Sequence, residues 1–276
     1  MDKVSLKDKL KDIKPDIPID EDSLLKYVEL LDVQYNTSLQ FSDKFKQLPL
    51  EEIQKGFAEG KPAYLSVPLK IEEEDLLASY KAIISFLREN IPETVEPIDK
   101  IEASRESGEI KLSELSDALF AGNEEQVHEA AEKIQVDPEV LEAILAWSIQ
   151  PIFEAFSRAL SGETDFSSWK SGRCPVCGGP SRLEFIDEEG HSHLKCQFCG
   201  AEWSYPEGKC PYCGNEESES IIEIPVKGED KFRLMACYKC GGYWKIVDER
   251  KVDTNIPRSL YDIWSFRLDL LASGQK

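Results

Sequence analysis

Gly172-Arg173-Cys174-Pro175-Val176-Cys177-Gly178 decides the reading of this chain, because it returns as Gly208-Lys209-Cys210-Pro211-Tyr212-Cys213-Gly214. Two cysteines separated by two residues bring both sulfurs to one side of a tight turn, and the glycine that follows allows the positive φ such a turn requires. Two further pairs obey the same rule: Cys196-x-x-Cys199-Gly200-x-x-Trp203 matches Cys237-x-x-Cys240-Gly241-x-x-Trp244. All eight cysteines fall into these four pairs between 174 and 240, with none left over. Four thiolates in tetrahedral array suit zinc or iron.

The stretches between the pairs also correspond, as an internal repeat demands. Arg182–Ile186 and His193–Lys195 are expected to form a hairpin around Asp187-Glu188-Glu189-Gly190. Ile221–Val226 and Lys231–Met235 are expected to form another around Lys227-Gly228-Glu229-Asp230. Each repeat then reads knuckle, strand, turn, strand, knuckle, with 18 and 23 residues between its two pairs. That is the layout of a zinc ribbon or rubredoxin. Sequential pairing predicts one metal site from Cys174, Cys177, Cys196 and Cys199 and a second from Cys210, Cys213, Cys237 and Cys240. An interleaved pairing of first with third and second with fourth is the alternative, at the expense of the hairpin symmetry. A disulfide framework would need an oxidising compartment, and Met1-Asp2-Lys3-Val4-Ser5-Leu6 lacks the apolar core of a signal peptide. Thioredoxin-type chemistry uses one such pair at a strand–helix turn, not four in ribbons. Four sulfurs close a tetrahedral shell and leave no place for a catalytic water.

Working outward, composition changes where the cysteines begin. Of the 276 residues, 1–170 carry 36 acids against 19 bases, and 171–276 carry 17 against 14. The turn-forming segment Ser161–Ser168 marks the boundary. The expected fold is α+β, with a helical domain over 1–165, two tandem ribbons over 170–206 and 207–250, and a C-terminal helix over 257–273. In the first part, Leu24, Leu25, Val28, Leu31, Tyr35 and Leu39 repeat at helical spacing, as do Leu76, Leu77, Tyr80, Ile83, Ile84 and Leu87. Glu72–Asp75 opens the latter helix, where carboxylates complement the dipole. Asn123 with Gln126 predicts a capping box, and Asp137-Pro138 starts a helix through Leu141, Leu145, Ile149, Ile152, Phe156 and Leu160 that stops at Gly162. Pro151 is expected to kink it. The first 20 residues are expected to fray. At the other end, Ser259 with Asp262 predicts a cap for a single helix whose stripe is Leu260, Ile263, Trp264, Leu268 and Leu271.

Several functions are disfavoured. A net charge of −20 opposes binding to a phosphate backbone, and no apolar run approaches the ~18 residues of a membrane span. A cytoplasmic, non-membrane protein without nucleic-acid partners is expected. Phosphate-loop, HExxH and G-x-S-x-G motifs are missing. His128 is expected on a helix surface, and His191 and His193 are expected to face solvent beside the first ribbon turn. Trp203, Trp244, Tyr243 and Phe198 are expected to pack around the sulfurs and exclude water from the metal.

The order Trp169-x-x-Gly172-x-Cys174-Pro175-Val176-Cys177-Gly178, Leu194-Lys195-Cys196-x-x-Cys199-x-x-Glu202-Trp203, Lys209-Cys210-x-x-Cys213 and Cys237-x-x-Cys240-x-x-Tyr243-x-Lys245 resembles the formate dehydrogenase accessory protein (FdhE) family. So do Gln150-Pro151-Ile152-Phe153-Glu154-Ala155 and the closing run Ser259–Ala272. The resemblance covers about 140–272 in motif and the rest in architecture. It implies a non-enzymatic cytoplasmic protein with two rubredoxin-like metal sites, iron or zinc, on the eight cysteines. The implied partner is the catalytic subunit of formate dehydrogenase or of a related molybdenum or tungsten enzyme, bound during its maturation. The alternative is a rubredoxin-like electron carrier serving such an enzyme.

Overall fold

The four glycines that close the cysteine pairs all adopt the left-handed conformation, with φ between +69° and +75°, and the local turns they permit organise the C-terminal half. The computed structural model describes residues 6–67, 71–164, 166–226, 230–252 and 255–274. Residues 1–5, Asp165 of the boundary segment and residues 227–229 of the second expected turn lie outside them. The described helices are α1 (Leu6–Ile13), α2 (Glu21–Leu39), α3 (Leu50–Ala58), α4 (Ala63–Ser66), α5 (Glu73–Asn90), α6 (Val95–Glu106), α7 (Leu112–Phe120), α8 (Glu124–Lys133) and α9 (Pro138–Ser161). Six strands follow: β1 (Leu183–Ile186), β2 (Ser192–Lys195), β3 (Glu202–Ser204), β4 (Ile221–Ile224), β5 (Phe232–Cys237) and β6 (Tyr243–Asp248). The chain closes with α10 (Tyr261–Trp264) and α11 (Phe266–Ala272).

Two compact units are interleaved along the chain. One comprises 26–46 and 69–156, the other 1–25, 47–68 and 157–276. The first is helical. Its core is built from α5 (Leu76, Tyr80, Ile83, Leu87), α6 (Ile98, Ile101), α7 (Leu112, Leu115), α8 (Val127, Ala131) and the buried stripe of α9. The α5 carboxylates Glu73, Glu74 and Asp75 occupy its first turn as expected. Asn123 Oδ1 accepts the Gln126 N–H, and Asp137 Oδ1 caps α9 through the Glu139 N–H. α9 is long and apolar enough to cross a membrane by length and composition, but 67% of its apolar window is buried inside the protein.

The α2 stripe departs from expectation. Leu24 and Val28 are buried, but Tyr35 and Leu39 are exposed, and the buried face continues through Leu30, Gln34 and Ser38. Gln34 turns inward because its Nε2 donates to Gln150 Oε1 at 3.0 Å. A buried amide that is hydrogen-bonded costs little, so a polar residue takes a position that periodicity assigns to the surface.

The second unit holds one six-stranded sheet in the order β3-β2-β1-β6-β5-β4. Each ribbon is an antiparallel meander, and parallel pairing of β1 with β6 joins them, with Leu183 opposite Lys245 and Ile186 opposite Asp248. The ribbons also meet where Gly172 lies on the backbone of Pro211: a Cβ there would sit 2.1 Å from the Pro211 carbonyl oxygen. Backbone cannot move aside as a flexible side chain can. Gly172→Ala is therefore expected to destabilise by about 3 kcal/mol, at the upper end of ordinary overpacking. Thermal unfolding of the variant checks this; a melting temperature equal to that of the parent would contradict the contact.

The N-terminal segment does not fray as expected. Ile13 and Ile17 are buried, and Asp16 Oδ2 accepts from Lys231 Nζ and Trp264 Nε1, both at 2.8 Å. The expected single C-terminal helix is interrupted at Ser265, whose N–H (3.0 Å) and buried hydroxyl (2.7 Å) both donate to the Tyr261 carbonyl, a back-bond that bends helices. Ser259 makes no cap; Asp262 turns to Lys245 instead. Leu260, Ile263, Trp264 and Leu268 are buried as the stripe predicts, while Leu271 is exposed.

Candidate metal centres

Each knuckle is closed by the same two backbone bonds. In the first, the Cys174 N–H donates to the Gly179 carbonyl at 2.8 Å and the Gly178 N–H to the Cys174 carbonyl at 3.0 Å. The pattern recurs at Cys196/Ala201, Cys210/Asn215 and Cys237/Gly242. Backbone N–H groups face the sulfurs: Val176 and Cys177 donate to Cys174 Sγ, and Cys199 donates to Cys196 Sγ.

The sulfurs gather in sequential sets. Cys174, Cys177, Cys196 and Cys199 lie within 4.8 Å of one another, and so do Cys210, Cys213, Cys237 and Cys240. Across the first set, Cys174–Cys199 and Cys177–Cys196 are 3.5 Å apart. Across the second, Cys210–Cys240 is 3.7 Å and Cys213–Cys237 is 3.8 Å. A tetrahedron of sulfurs about 2.3 Å from a central ion has edges of about 3.8 Å, so both sets have the dimensions of a zinc or iron site. All eight are free cysteines, and each set could hold a metal ion. Burial pushes the Cys174 and Cys199 thiols well up, and it pushes Cys210 up to about 12. Ligation removes these protons, so metal held here is released as pH falls.

The two sets differ in exposure. All four cysteines of the first are buried, whereas Cys213 and Cys240 of the second are exposed. The first knuckle is covered from its own unit. The Ala63 and Tyr64 N–H groups donate to the carbonyls of Pro175 (2.7 Å) and Val176 (3.1 Å). Pro62 and Tyr64 side chains lie against Gly178.

Of the expected aromatic shell, Trp203 and Trp244 are buried, and Trp244 packs in one apolar cluster with Cys210, Cys237, Ile186 and Met235. Tyr243 differs: its hydroxyl donates to Asp269 Oδ1 at 3.0 Å. His191 is exposed as expected, and His193 is half-buried, stacked on Phe185 and bonded to Asp187 Oδ2 at 2.9 Å. His128 pairs with Glu142 on the surface. Asp187, Glu189 and His191 form a third group of metal-ligand type at the ribbon turn, but it is a solvent-facing one.

No protein-family model matches the chain. The Protein FdhE homolog of Aquifex aeolicus (strain VF5) is 29% identical over 253 residues, spanning 88% of this chain and 81% of its own. The chain resembles the FdhE proteins. The crystal structure of the FdhE protein from Pseudomonas aeruginosa has the same fold, with a TM-score of 0.63 at 21% identity, over 98% of this chain and 90% of that one. In this chain the FdhE-like fold comprises a helical N-terminal part, then a sheet region with two four-cysteine clusters, then C-terminal helices.

Sequence reasoning missed one buried acid behind the second cluster. Glu184 on β1 is buried and accepts from Ser192 Oγ (2.6 Å) and Trp244 Nε1 (2.8 Å). Burial pushes its carboxyl up to about 7 from the ordinary 4.5, against the pull of those two hydrogen bonds. The folded state thus holds a proton that the unfolded state has lost. The contribution of Glu184 to stability is greatest below pH 4.5, falls as pH rises towards 7, and stays lower by about 3 kcal/mol above it. Glu184→Gln removes the charge, keeps the Trp244 bond on its amide oxygen and reverses the Ser192 bond, its NH2 donating to Ser192 Oγ. Its stability gain over the parent is expected to grow from pH 5 to 7.5 in urea unfolding; a pH-independent difference would refute the assignment.

Proposed function

We propose that this chain is a non-catalytic cytoplasmic accessory protein for the maturation of formate dehydrogenase or a related molybdenum or tungsten enzyme. In this reading it binds the immature catalytic subunit. Its eight cysteines hold two metal ions, iron or zinc, one on each sequential set. The observation that carries the reading is the pair of complete four-sulfur sets on an FdhE-like fold. Four sulfurs leave no open coordination position for substrate or water, which supports a binding role over turnover.

The test is complementation of a strain lacking its own FdhE-type factor, read as formate dehydrogenase activity. The parent protein is expected to restore activity, and Cys174→Ser or Cys210→Ser to lower it strongly. Full restoration by both variants would show the knuckles to be dispensable and overturn the reading. The exposure of Cys213 and Cys240 favours a second reading, an electron carrier. It requires that iron-loaded protein complement and that folded zinc-loaded protein fail.

A further inference from the structure

The two cysteine sets are built from the same knuckle, yet they meet solvent differently. In the first set the middle of the knuckle, Pro175 and Val176, is buried with its cysteines beneath residues 62–64. In the second, Tyr212, Cys213 and Gly214 are exposed on one side and Tyr238, Lys239, Cys240 and Gly241 on the other. The exposed cysteines are the second member of each pair. The first members, Cys210 and Cys237, sit in the apolar cluster with Trp244, Met235 and Ile246. Half of the second set is therefore anchored in the core, and the other half forms an open edge.

We propose that the second cysteine set is a ligand-exchange site, open to an incoming thiol at Cys213 and Cys240, and that the first set is a closed structural site. This rests on the reading that each set holds one metal ion. In the exchange, an incoming R–SH takes the coordination position of Cys240 or Cys213. One metal–sulfur bond forms and one breaks, the proton of the incoming thiol passes to the departing cysteine, and no electrons change hands. Cys210 and Cys237 hold the ion meanwhile, so exchange does not require the sheet to open. The same replacement at Cys174 or Cys177 requires the 62–64 segment to leave their knuckle, because it covers Pro175, Val176 and Gly178, and Cys196 and Cys199 are themselves buried. The chemistry suits passage of a thiophilic divalent cation to or from another thiolate site.

The experiment uses the full chain loaded anaerobically with zinc, after metal analysis. Binding of fewer than two ions overturns the two-site reading and this proposal together. With two ions bound, the protein is challenged with dimercaptopropanesulfonate, and zinc release is followed in parallel with pulsed iodoacetamide labelling read by mass spectrometry. One equivalent is expected to leave at least tenfold faster than the other, with Cys213 and Cys240 alkylated first. Release of both ions at one rate, or earlier labelling of the first set, overturns the proposal and leaves the two-site reading standing. Cys240→Ser is expected to hold one ion and lose the fast phase; a fast phase that persists also overturns it. Ala63→Pro supplies a further check. Pro62 is already extended at ψ 158°, so the backbone at the first position of α4 accepts proline; the substitution removes the N–H given to Pro175 and crowds a fully buried position, and both effects loosen the cover. It is expected to speed the slow phase and spare the fast one; an unchanged slow phase overturns the covering role of 62–64.

Discussion

Stripping metal from both cysteine sets is expected to abolish amide protection across β1–β6 while α5–α8 remain protected. The strands are three to six residues long, and each ribbon is held at one end by its knuckles. Structural four-thiolate binding contributes roughly 10–16 kcal/mol, whereas a whole domain is stable by only about 5–15 kcal/mol. Its loss therefore exceeds what the ribbon core can supply. Because β1 pairs with β6, the two ribbons share a sheet and are expected to lose protection together. The 62–64 segment, hydrogen-bonded to the first knuckle, should follow them. The helices of the other unit contain no cysteine and have their own apolar core. Hydrogen exchange with mass spectrometry, before and after anaerobic chelation, reads all of this by segment. Sheet protection that survives complete metal removal would show that the knuckles are not the staple.

The second large effect is expected at Lys245. Its side chain is 0% exposed. Nζ donates to Asp262 Oδ1 (2.6 Å), the Asp262 carbonyl (3.0 Å) and Asp269 Oδ2 (2.7 Å), and so ties β6 to α10 and α11. Removing one partner of a buried pair typically costs about 3–5 kcal/mol. Lys245→Met should fall near the lower bound, about 3 kcal/mol, because the stranded carboxylates of Asp262 and Asp269 retain some access to water. The double variant Asp262→Asn with Asp269→Asn should cost more, since it leaves a lysine charge with no route to solvent. Urea unfolding of the metal-loaded proteins measures both. A cost below about 1 kcal/mol for Lys245→Met would place the pair among exposed salt bridges.

The elements legible from residues alone are those whose cause is local. Each cysteine knuckle is specified by its own few residues, because a CxxCG turn needs only two sulfurs and one left-handed glycine. The sequential grouping of the sulfurs follows from the hairpin between the knuckles. The helices α5 and α9 follow from apolar spacing, from the first-turn carboxylates Glu73, Glu74 and Asp75 of α5, and from the Asp137 cap of α9.

What only the tertiary structure decided has its cause far along the chain. Lys245 and Asp262 stand out in the sequence as charged residues, but nothing nearby says that one is buried against the other. Asp16 orders the N-terminal segment through Lys231 and Trp264, more than 200 residues away. Gln34 is buried by an amide on α9. The two cysteine sets are equivalent as motifs, and they become different in where distant chain packs: residues 62–64 cover the first knuckle, while Cys213 and Cys240 are exposed. Turn geometry and periodicity depend on neighbouring residues, whereas burial and charge pairing depend on where distant segments meet.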